Sequence, residues 1–203
     1  MSLDRNSRRA RWTPHRQLAL ALSEAREILP NAVPESRKML EQFILRRHMI
    51  GNRVKLRSVK RLLPFARCIH LACHAEFDLS HPHRSVLHLP NGHLISAAEL
   101  IDWPLDGLGL ATLSACHSGM TGSIAGEEHF GLVASFLAAG TQAVLASLWQ
   151  VADDEAIGFM SDFYGQKCNG DYLSAFSEAT RNAIANHVSP LFRSGFAFFG
   201  RTN

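Results

Sequence analysis

A chain of 203 residues, 46% of them hydrophobic, is long and apolar enough for one globular domain with its own core. It contains no run of about 18 apolar residues, so no transmembrane helix is expected. The first residues lack the apolar stretch of a secretory signal. The four cysteines show no disulfide framework, which favours a reduced, cytoplasmic protein.

The net charge of +3 conceals an asymmetry along the chain. Residues 1–70 hold 16 of the 21 Lys and Arg residues but 5 of the 18 Asp and Glu residues, an excess of 11 positive charges. The rest of the chain has an excess of 8 negative charges. A basic end could bind phosphates. Because these arginines alternate with apolar residues, we instead expect solvated faces of amphipathic helices and no nucleic-acid interface.

The first part of the chain is predicted to be helical. Apolar residues recur there at helical spacing, and prolines end two of the segments. The predicted helices cover residues 16–29, 35–47 and 54–63. We therefore separate a basic N-terminal tail or helix, residues 1–28, from a domain over residues 29–203.

Strands and helices alternate through the rest of the chain. Each predicted strand is a short β-prone run, of which residues 141–148 are typical of a strand buried on both faces. The predicted strands cover residues 67–73, 86–89, 108–114, 141–148 and 196–199. The predicted helices cover residues 97–102, 127–139, 153–164 and 172–187, with a Gly/Ser loop over 117–125. This alternation indicates an α/β fold with a mainly parallel sheet.

Two of the predicted strands end in residues suited to nucleophilic catalysis. His74 follows the strand over 67–73, and Cys116 follows the strand over 108–114. The carboxyl ends of parallel strands line the crevice where ligands bind, so we expect an imidazole and a thiol over one crevice. Taken singly, however, a cysteine at a strand end is usually a packed hydrophobe, and a histidine is usually a satisfied polar residue. The residues alone leave both interpretations open.

A structural zinc site is a further interpretation. Residues 70–93 contain six histidines, and Cys73, Cys116 and His117 could lie nearby. Cysteine and histidine are the favoured zinc ligands. The chain has no Cys-x-x-Cys pair, and alternate residues of a strand point to opposite faces. We therefore expect no metal site and no cofactor.

The two strand ends carry extended motifs. Residues 70–78 read His-Leu-Ala-Cys-His-Ala-Glu-Phe-Asp, and residues 113–119 read Leu-Ser-Ala-Cys-His-Ser-Gly. They resemble the histidine and cysteine motifs of CHAT-domain proteins, which are caspase-like cysteine peptidases related to separase. Further similar segments, in the family's order, extend the resemblance over residues 29–200.

The resemblance implies a caspase-like three-layer α/β/α sandwich and peptide-bond hydrolysis through a thioacyl-enzyme. By that resemblance, His74 and Cys116 correspond to the catalytic dyad, and the backbone N–H groups of Ala75 and Cys116 to the oxyanion donors. In separase-like relatives an acidic residue after a Leu-Trp motif faces the pocket for the P1 side chain. The matching position is Asp153, with Asp154 adjacent, and a carboxylate there would select Arg or Lys. The alternative role for Asp153 is a helix N-cap.

The sequence departs from the family pattern in three places. Ala75 stands where glycine is usual, and His117 stands where an acidic residue is common. The strands that usually precede the Leu-Pro helix are replaced by a basic tail or helix. We therefore expect a sheet truncated at its N-terminal strands, with an edge that a partner chain could supply.

Two functions are favoured by this sequence, and a His/Cys zinc-binding structural domain is a further alternative behind them. The first is a cysteine endopeptidase acting on a protein or peptide substrate, with a sensor or helical-repeat protein as partner and no membrane contact. The alternative is a catalytically inactive interaction module that needs a partner chain.

Overall fold

Strands and helices alternate along the chain. The computed structural model describes residues 17–25, 27–78, 80–114, 116–117, 130–148, 153–166, 171–190 and 195–200, with the backbone alone at 116–117, 130 and 153–156. The strands are β1 (Leu18–Ser23), β2 (Arg46–Ile50), β3 (Ala66–Ala72), β4 (His74–Glu76), β5 (Val86–His88), β6 (Leu94–Ser96), β7 (Leu110–Leu113), β8 (Cys116–His117), β9 (Ala143–Ser147) and β10 (Phe196–Gly200). The helices are α1 (Ala32–Leu40), α2 (Leu56–Leu62), α3 (Ala97–Leu100), α4 (Phe130–Ala138), α5 (Asp153–Gly165) and α6 (Tyr172–Ala185).

The strands form two sheets. The larger has six strands in the order β10-β9-β7-β3-β1-β2, and the smaller has four in the order β6-β5-β4-β8. In the larger sheet β10 runs antiparallel to β9, and all other neighbours are parallel. The mainly parallel sheet expected from the sequence is confirmed.

Helices cover both faces of the larger sheet. Along β3, Ile69 and Leu71 face an apolar cluster formed with α2, α3 and α4. Cys68 faces the other side and packs with residues of α1, α5 and α6. Alternate strand residues point to opposite faces, so one strand contributes to both clusters. The molecule is therefore the three-layer α/β/α sandwich that the sequence predicted.

The expected helix over 16–29 is wrong. The segment forms β1, which lies between β2 and β3 inside the larger sheet. Residues 19–22 are fully buried. A Leu-Ala alternation has high helix propensity, and a strand buried on both faces shows no polar alternation that would reveal its period. A strand, not a helix, thus precedes Leu29-Pro30. The larger sheet contains strands from both sides of residue 28, where the sequence analysis separated a tail from the domain.

The expected helix over 35–47 is wrong in its second half. Helix α1 ends at Leu40, and residues 46–50 form the edge strand β2. The hydrogen bonds between β1 and β2 begin at the Ala19 N–H, which donates to the Leu45 carbonyl at 2.9 Å. Arg46 and Arg47 are exposed on this edge, which gives the segment the polar character of a helix surface. The sequence analysis expected a basic tail or helix in place of the N-terminal strands. Residues 18–23 and 46–50 instead form two strands of the larger sheet.

The elements predicted from residue 54 onward are confirmed, with ends that shift by a few residues, but the short strands β4, β6 and β8 were not predicted. Ser96 caps α3, because its Oγ accepts a hydrogen bond from the Glu99 backbone N–H at 3.1 Å. Gly140 ends the turn after α4 with φ of +109°, and a Cβ there would lie 2.7 Å from the Asp106 Cα. The predicted loop over 117–125 lies, apart from residue 117, outside the described residues. Among the helices described, none has the length and apolar character to cross a bilayer.

Candidate active site

The smaller sheet extends the larger one beyond its carboxyl edge. Strand β4 follows β3 after the single residue Cys73, and β8 follows β7 after residues 114 and 115. The parallel pairing of β3 with β7 continues as the parallel pairing of β4 with β8. This edge is where parallel α/β sheets bind their ligands.

The strand register brings the backbones of His74 and Cys116 together. His74 pairs with Cys116, and Ala75 pairs with His117. Neighbouring strands lie about 4.8 Å apart, so residues paired in this way are within side-chain reach of each other. The two residue types that the sequence singled out therefore occupy adjacent positions of one small sheet.

His74 has an unusual environment among the described residues. Its Nδ1 is buried and has no hydrogen-bond partner there. A buried polar atom without a partner costs about 1–3 kcal/mol, and native structures contain few. A general base or acid needs a ring nitrogen that reaches the group whose proton it transfers.

Ala75 adopts ordinary extended backbone. It is fully buried inside β4, where it pairs with Leu87 of β5 and His117 of β8. Within the described ranges, His187 is the one residue other than glycine with positive φ. The position therefore accepts a Cβ without strain, and alanine in place of the family's glycine is compatible with the strand.

Asp153 is the first residue of α5. The helix follows β9, and β9 pairs with β7, the strand that leads to Cys116. The backbone of Asp153 thus comes after the carboxyl end of a strand next to the cysteine strand. A carboxylate in the first turn of a helix also interacts favourably with the helix dipole. The position of Asp153 therefore fits both a structural role at the helix start and a role in substrate recognition.

One acidic residue near His74 was not singled out by the sequence analysis. Glu76 lies two positions after His74 on β4, and so on the same face of the strand. Its Oε1 lies 2.8 Å from Nε2 of His88 on β5. The two atoms do not form an aligned hydrogen bond, and the contact is an ion pair only when His88 is protonated. The alternation of β4 was the signal that could have identified Glu76.

A buried polar cluster lies between the larger sheet and helices α1 and α5. His70 is completely buried, with Nε2 3.1 Å from Glu35 Oε1 and Nδ1 3.4 Å from the Tyr164 hydroxyl. That hydroxyl lies 2.5 Å from Oγ1 of Thr112. Neither of the two atoms in the His70–Glu35 contact has a hydrogen bond of acceptable angle, and the contact is an ion pair only when His70 is protonated.

A second polar chain lies beside this cluster. Ser23 Oγ is 2.7 Å from Ser36 Oγ and 2.7 Å from His48 Nε2. Burial, together with the positive charges of His70 and Arg37, lowers the pKa of His48 from 6.5 to about 4. His48 is therefore held neutral in the folded protein at neutral pH.

The histidines of residues 70–93 do not converge in the part that the structure describes. His70 belongs to the buried cluster of the larger sheet, whereas His81 and His83 lie on an exposed turn. Among the side chains described, no three His, Cys, Asp or Glu residues are placed to hold a metal ion. The side chains of Cys116 and His117 lie outside that search.

Comparison with known proteins gives a family and a fold. The family model described as "CHAT domain" matches residues 2–201. The crystal structure of the Arg-specific cysteine proteinase gingipain R superimposes with a TM-score of 0.56 at 8% sequence identity. The match covers 95% of this chain and 47% of the gingipain chain, so this chain spans about half of that length. No curated protein sequence matches.

At so low an identity the likeness to gingipain R shows the fold alone, and that fold is the caspase-like sandwich expected from the sequence. The family match covers nearly the whole chain, including the histidine and cysteine motifs. The chain belongs to the CHAT-domain family.

Proposed function

We propose that the protein is a cysteine endopeptidase of the CHAT, caspase-like type that cleaves a protein substrate after a basic P1 residue. The observation that carries the proposal is the register that pairs His74 with Cys116 at the carboxyl edge of the sheet. Membership of a family within the cysteine peptidases, and a fold shared with a cysteine proteinase, support the same chemistry.

The proposed reaction uses the two residues in sequence. The thiol of Cys116 gives its proton to His74, and the sulfur attacks the substrate carbonyl carbon. The backbone N–H groups of Ala75 and Cys116 donate hydrogen bonds to the resulting oxyanion. When the intermediate collapses, His74 donates the proton to the leaving amine, and a thioacyl-enzyme remains. Water then hydrolyses the thioester, with His74 as base.

The P1 preference is assigned to Asp153, with Asp154 as its neighbour. Helix α5 begins after β9, the strand that pairs with β7, and this order along the chain supports the assignment. A carboxylate in a partly desolvated pocket there binds a guanidinium or ammonium group through charge-assisted hydrogen bonds.

The dyad is tested by single substitutions. Cys116→Ala should abolish cleavage of fluorogenic peptides with Arg or Lys at P1, while the circular dichroism spectrum stays unchanged. Cys73→Ala is the matched control, because Cys73 is fully buried in the apolar cluster next to the site. Cleavage that survives in Cys116→Ala and fails in Cys73→Ala would assign the reaction to the other cysteine.

Labelling by a cysteine-directed activity probe separates the enzyme from an inactive interaction module. Probe reaction at Cys116 should fall strongly in His74→Ala, because the thiolate is the reactive form and His74 accepts the proton. Labelling that is unaffected by His74→Ala, together with no cleavage of peptides with Arg, Lys, Asp or Leu at P1, would favour the interaction module.

The P1 assignment is tested by Asp153→Asn. The change keeps shape and removes charge, so cleavage after Arg should fall by about a hundredfold or more, as expected for breaking a desolvated charge pair. Cleavage after an uncharged P1 residue should change little. Asp162→Asn, further along α5, is the control. Equal losses for both substrates would mark Asp153 as a structural residue of the helix start.

A further inference from the structure

The outer edge of β2 offers unpaired backbone groups. β2 is the last strand of the larger sheet, and among the described residues no strand pairs with its outer side. Ala19 pairs with Arg46, and its N–H donates to the Leu45 carbonyl at 2.9 Å. In a parallel ladder the backbone groups of alternate residues turn toward one neighbour. Leu45 and Arg47 therefore turn toward β1, and Arg46 and His48 present N–H and C=O groups outward.

Apolar and basic side chains flank this edge. Ile44 is 98% exposed and Leu45 is 54% exposed, directly before the strand. Arg46 and Arg47 are both exposed. The Arg46 guanidinium reaches the carbonyls of Leu40 and Phe43 at 3.4 Å, whereas the Arg47 side chain makes no hydrogen bond or ion pair with any described residue.

The surroundings are basic as well. Residues 51–61, which follow the strand, contribute five further Lys and Arg residues and no acidic residue. Of the acidic residues between positions 17 and 45, Glu24 and Glu35 are buried, Glu41 pairs with Lys38 at 3.7 Å, and Glu27 is exposed. The chain's own residues 1–16 carry five arginines and one aspartate, so like charge disfavours them as the occupant of this edge.

Charged residues on an edge strand normally discourage pairing with other strands. Ile44, at the start of the same edge, is 98% exposed and favours association, because a partner that covers it removes apolar surface from water. The combination selects partners by charge: it repels basic strands and accepts acidic ones.

We infer that the β2 edge, residues 44–50, is a docking site for an extended acidic segment of a partner protein, which adds a seventh strand to the larger sheet. Backbone hydrogen bonds to Arg46 and His48 would supply the pairing, acidic side chains would face Arg47, and an apolar residue would cover Ile44. The inference does not depend on peptidase activity.

The probe is a capped heptapeptide of alternating glutamate and valine with a fluorescent label. We expect it to bind in fluorescence anisotropy, and we expect NMR to show slower amide exchange at Arg46 and His48. A peptide of alternating glutamate and proline has the same charge but cannot form a strand, and a lysine–valine peptide has the opposite charge. Both should bind at least about tenfold more weakly, the effect of losing one or two net hydrogen bonds or charge contacts.

Two pairs of variants locate the site. Arg46→Pro removes an outward N–H without touching the ladder to β1, and Arg46→Ala removes only the side chain, so the first should weaken binding about tenfold relative to the second. Arg47→Glu should reverse the binding preference, so that the protein binds the lysine–valine peptide more tightly than the glutamate–valine peptide. Arg57→Glu, the same charge change on α2, should not.

Several results would overturn the inference. Equal binding of the glutamate–valine and glutamate–proline peptides, or equal competition by an oligouridylate in Arg47→Glu and Arg57→Glu, would identify a general polyanion surface. Unchanged binding in a folded Arg46→Pro would exclude strand addition. If Arg46→Pro does not fold, the amide exchange pattern and the two glutamate variants decide the question.

Discussion

The two sheets of this molecule differ in how deeply their strands are buried. In the larger sheet, β1, β3, β7 and β9 are almost wholly buried between two helical layers. In the smaller sheet, the described strands have two or three residues, and polar side chains such as His74, Glu76 and His88 alternate with buried ones. The deeply buried sheet fixes strand order and register, and the smaller sheet continues that register beyond the carboxyl edge. Under the proposed function, stability would rest mainly on the larger sheet and the reacting residues would lie on the smaller one, as in proteins whose functional residues lie at the edge of a rigid scaffold.

The largest contrast between the sheets should come from their apolar residues. Ile69→Ala in β3 removes a fully buried side chain and should lower the free energy of unfolding by about 2–5 kcal/mol. Val86→Ala in β5, at a half-buried position, should cost about 1 kcal/mol or less. Urea denaturation of both variants measures the difference. Equal losses would show that the smaller sheet contributes as much to stability as the larger.

The next effect concerns the polar side of the larger sheet. Tyr164→Phe removes a hydroxyl that contacts both Thr112 and His70, and should cost about 1–3 kcal/mol, because buried polar groups lose their partner. Thr112→Val removes the other hydroxyl of the 2.5 Å contact between Tyr164 and Thr112. The double variant should be less destabilised than the sum of the single ones. Strict additivity in urea denaturation would mean that the two hydroxyls act independently.

A smaller effect should appear as a pH dependence of stability. Burial, with the charges of His70 and Arg37, lowers the pKa of His48 to about 4, against 6.5 in the unfolded chain. Between these values the unfolded state binds more protons, so stability is full above pH 6.5 and falls as the pH drops toward 4. Because His48 is only partly buried, we discount the effect to about 1 kcal/mol between pH 7 and pH 5.

His48→Gln keeps a hydrogen-bonding group near Ser23 and removes the titration. The loss of stability between pH 7 and pH 5 should be smaller in this variant than in the unmodified protein. Identical pH profiles in urea denaturation would assign the acid sensitivity to other groups.

The smallest effect should come from the end of the smaller sheet. Ser96 terminates β6 and caps α3, and its loss in Ser96→Ala should cost about 0.5 kcal/mol, the low end for an N-cap, because α3 has a single turn. Ser96→Asn, which can also cap, should restore most of the stability in thermal unfolding. No difference between the two variants would show that the cap contributes nothing measurable.

The sequence predicted more of the chain after residue 54 than before it. From residue 54 onward, helices carry apolar residues at helical spacing and the longer strands are β-prone runs between turns, so local pattern and final structure agree except at the short strands β4, β6 and β8. Residues 18–23 and 46–50 follow no such rule. An alanine–leucine run and an arginine-rich segment are both compatible with helices, and only their pairing beside β3 makes them strands.

The sequence by itself determined the class of the fold, the two motifs, and the position of His74 and Cys116 after two strands. Tertiary structure decided that these strands are neighbours and that His74 pairs with Cys116. It also decided that His70, four residues before His74, contacts Glu35 and Tyr164 inside the molecule. Local patterns record propensity and burial within a few residues. Strand order, register and polar partners depend on contacts between residues tens of positions apart, and no local pattern contains them.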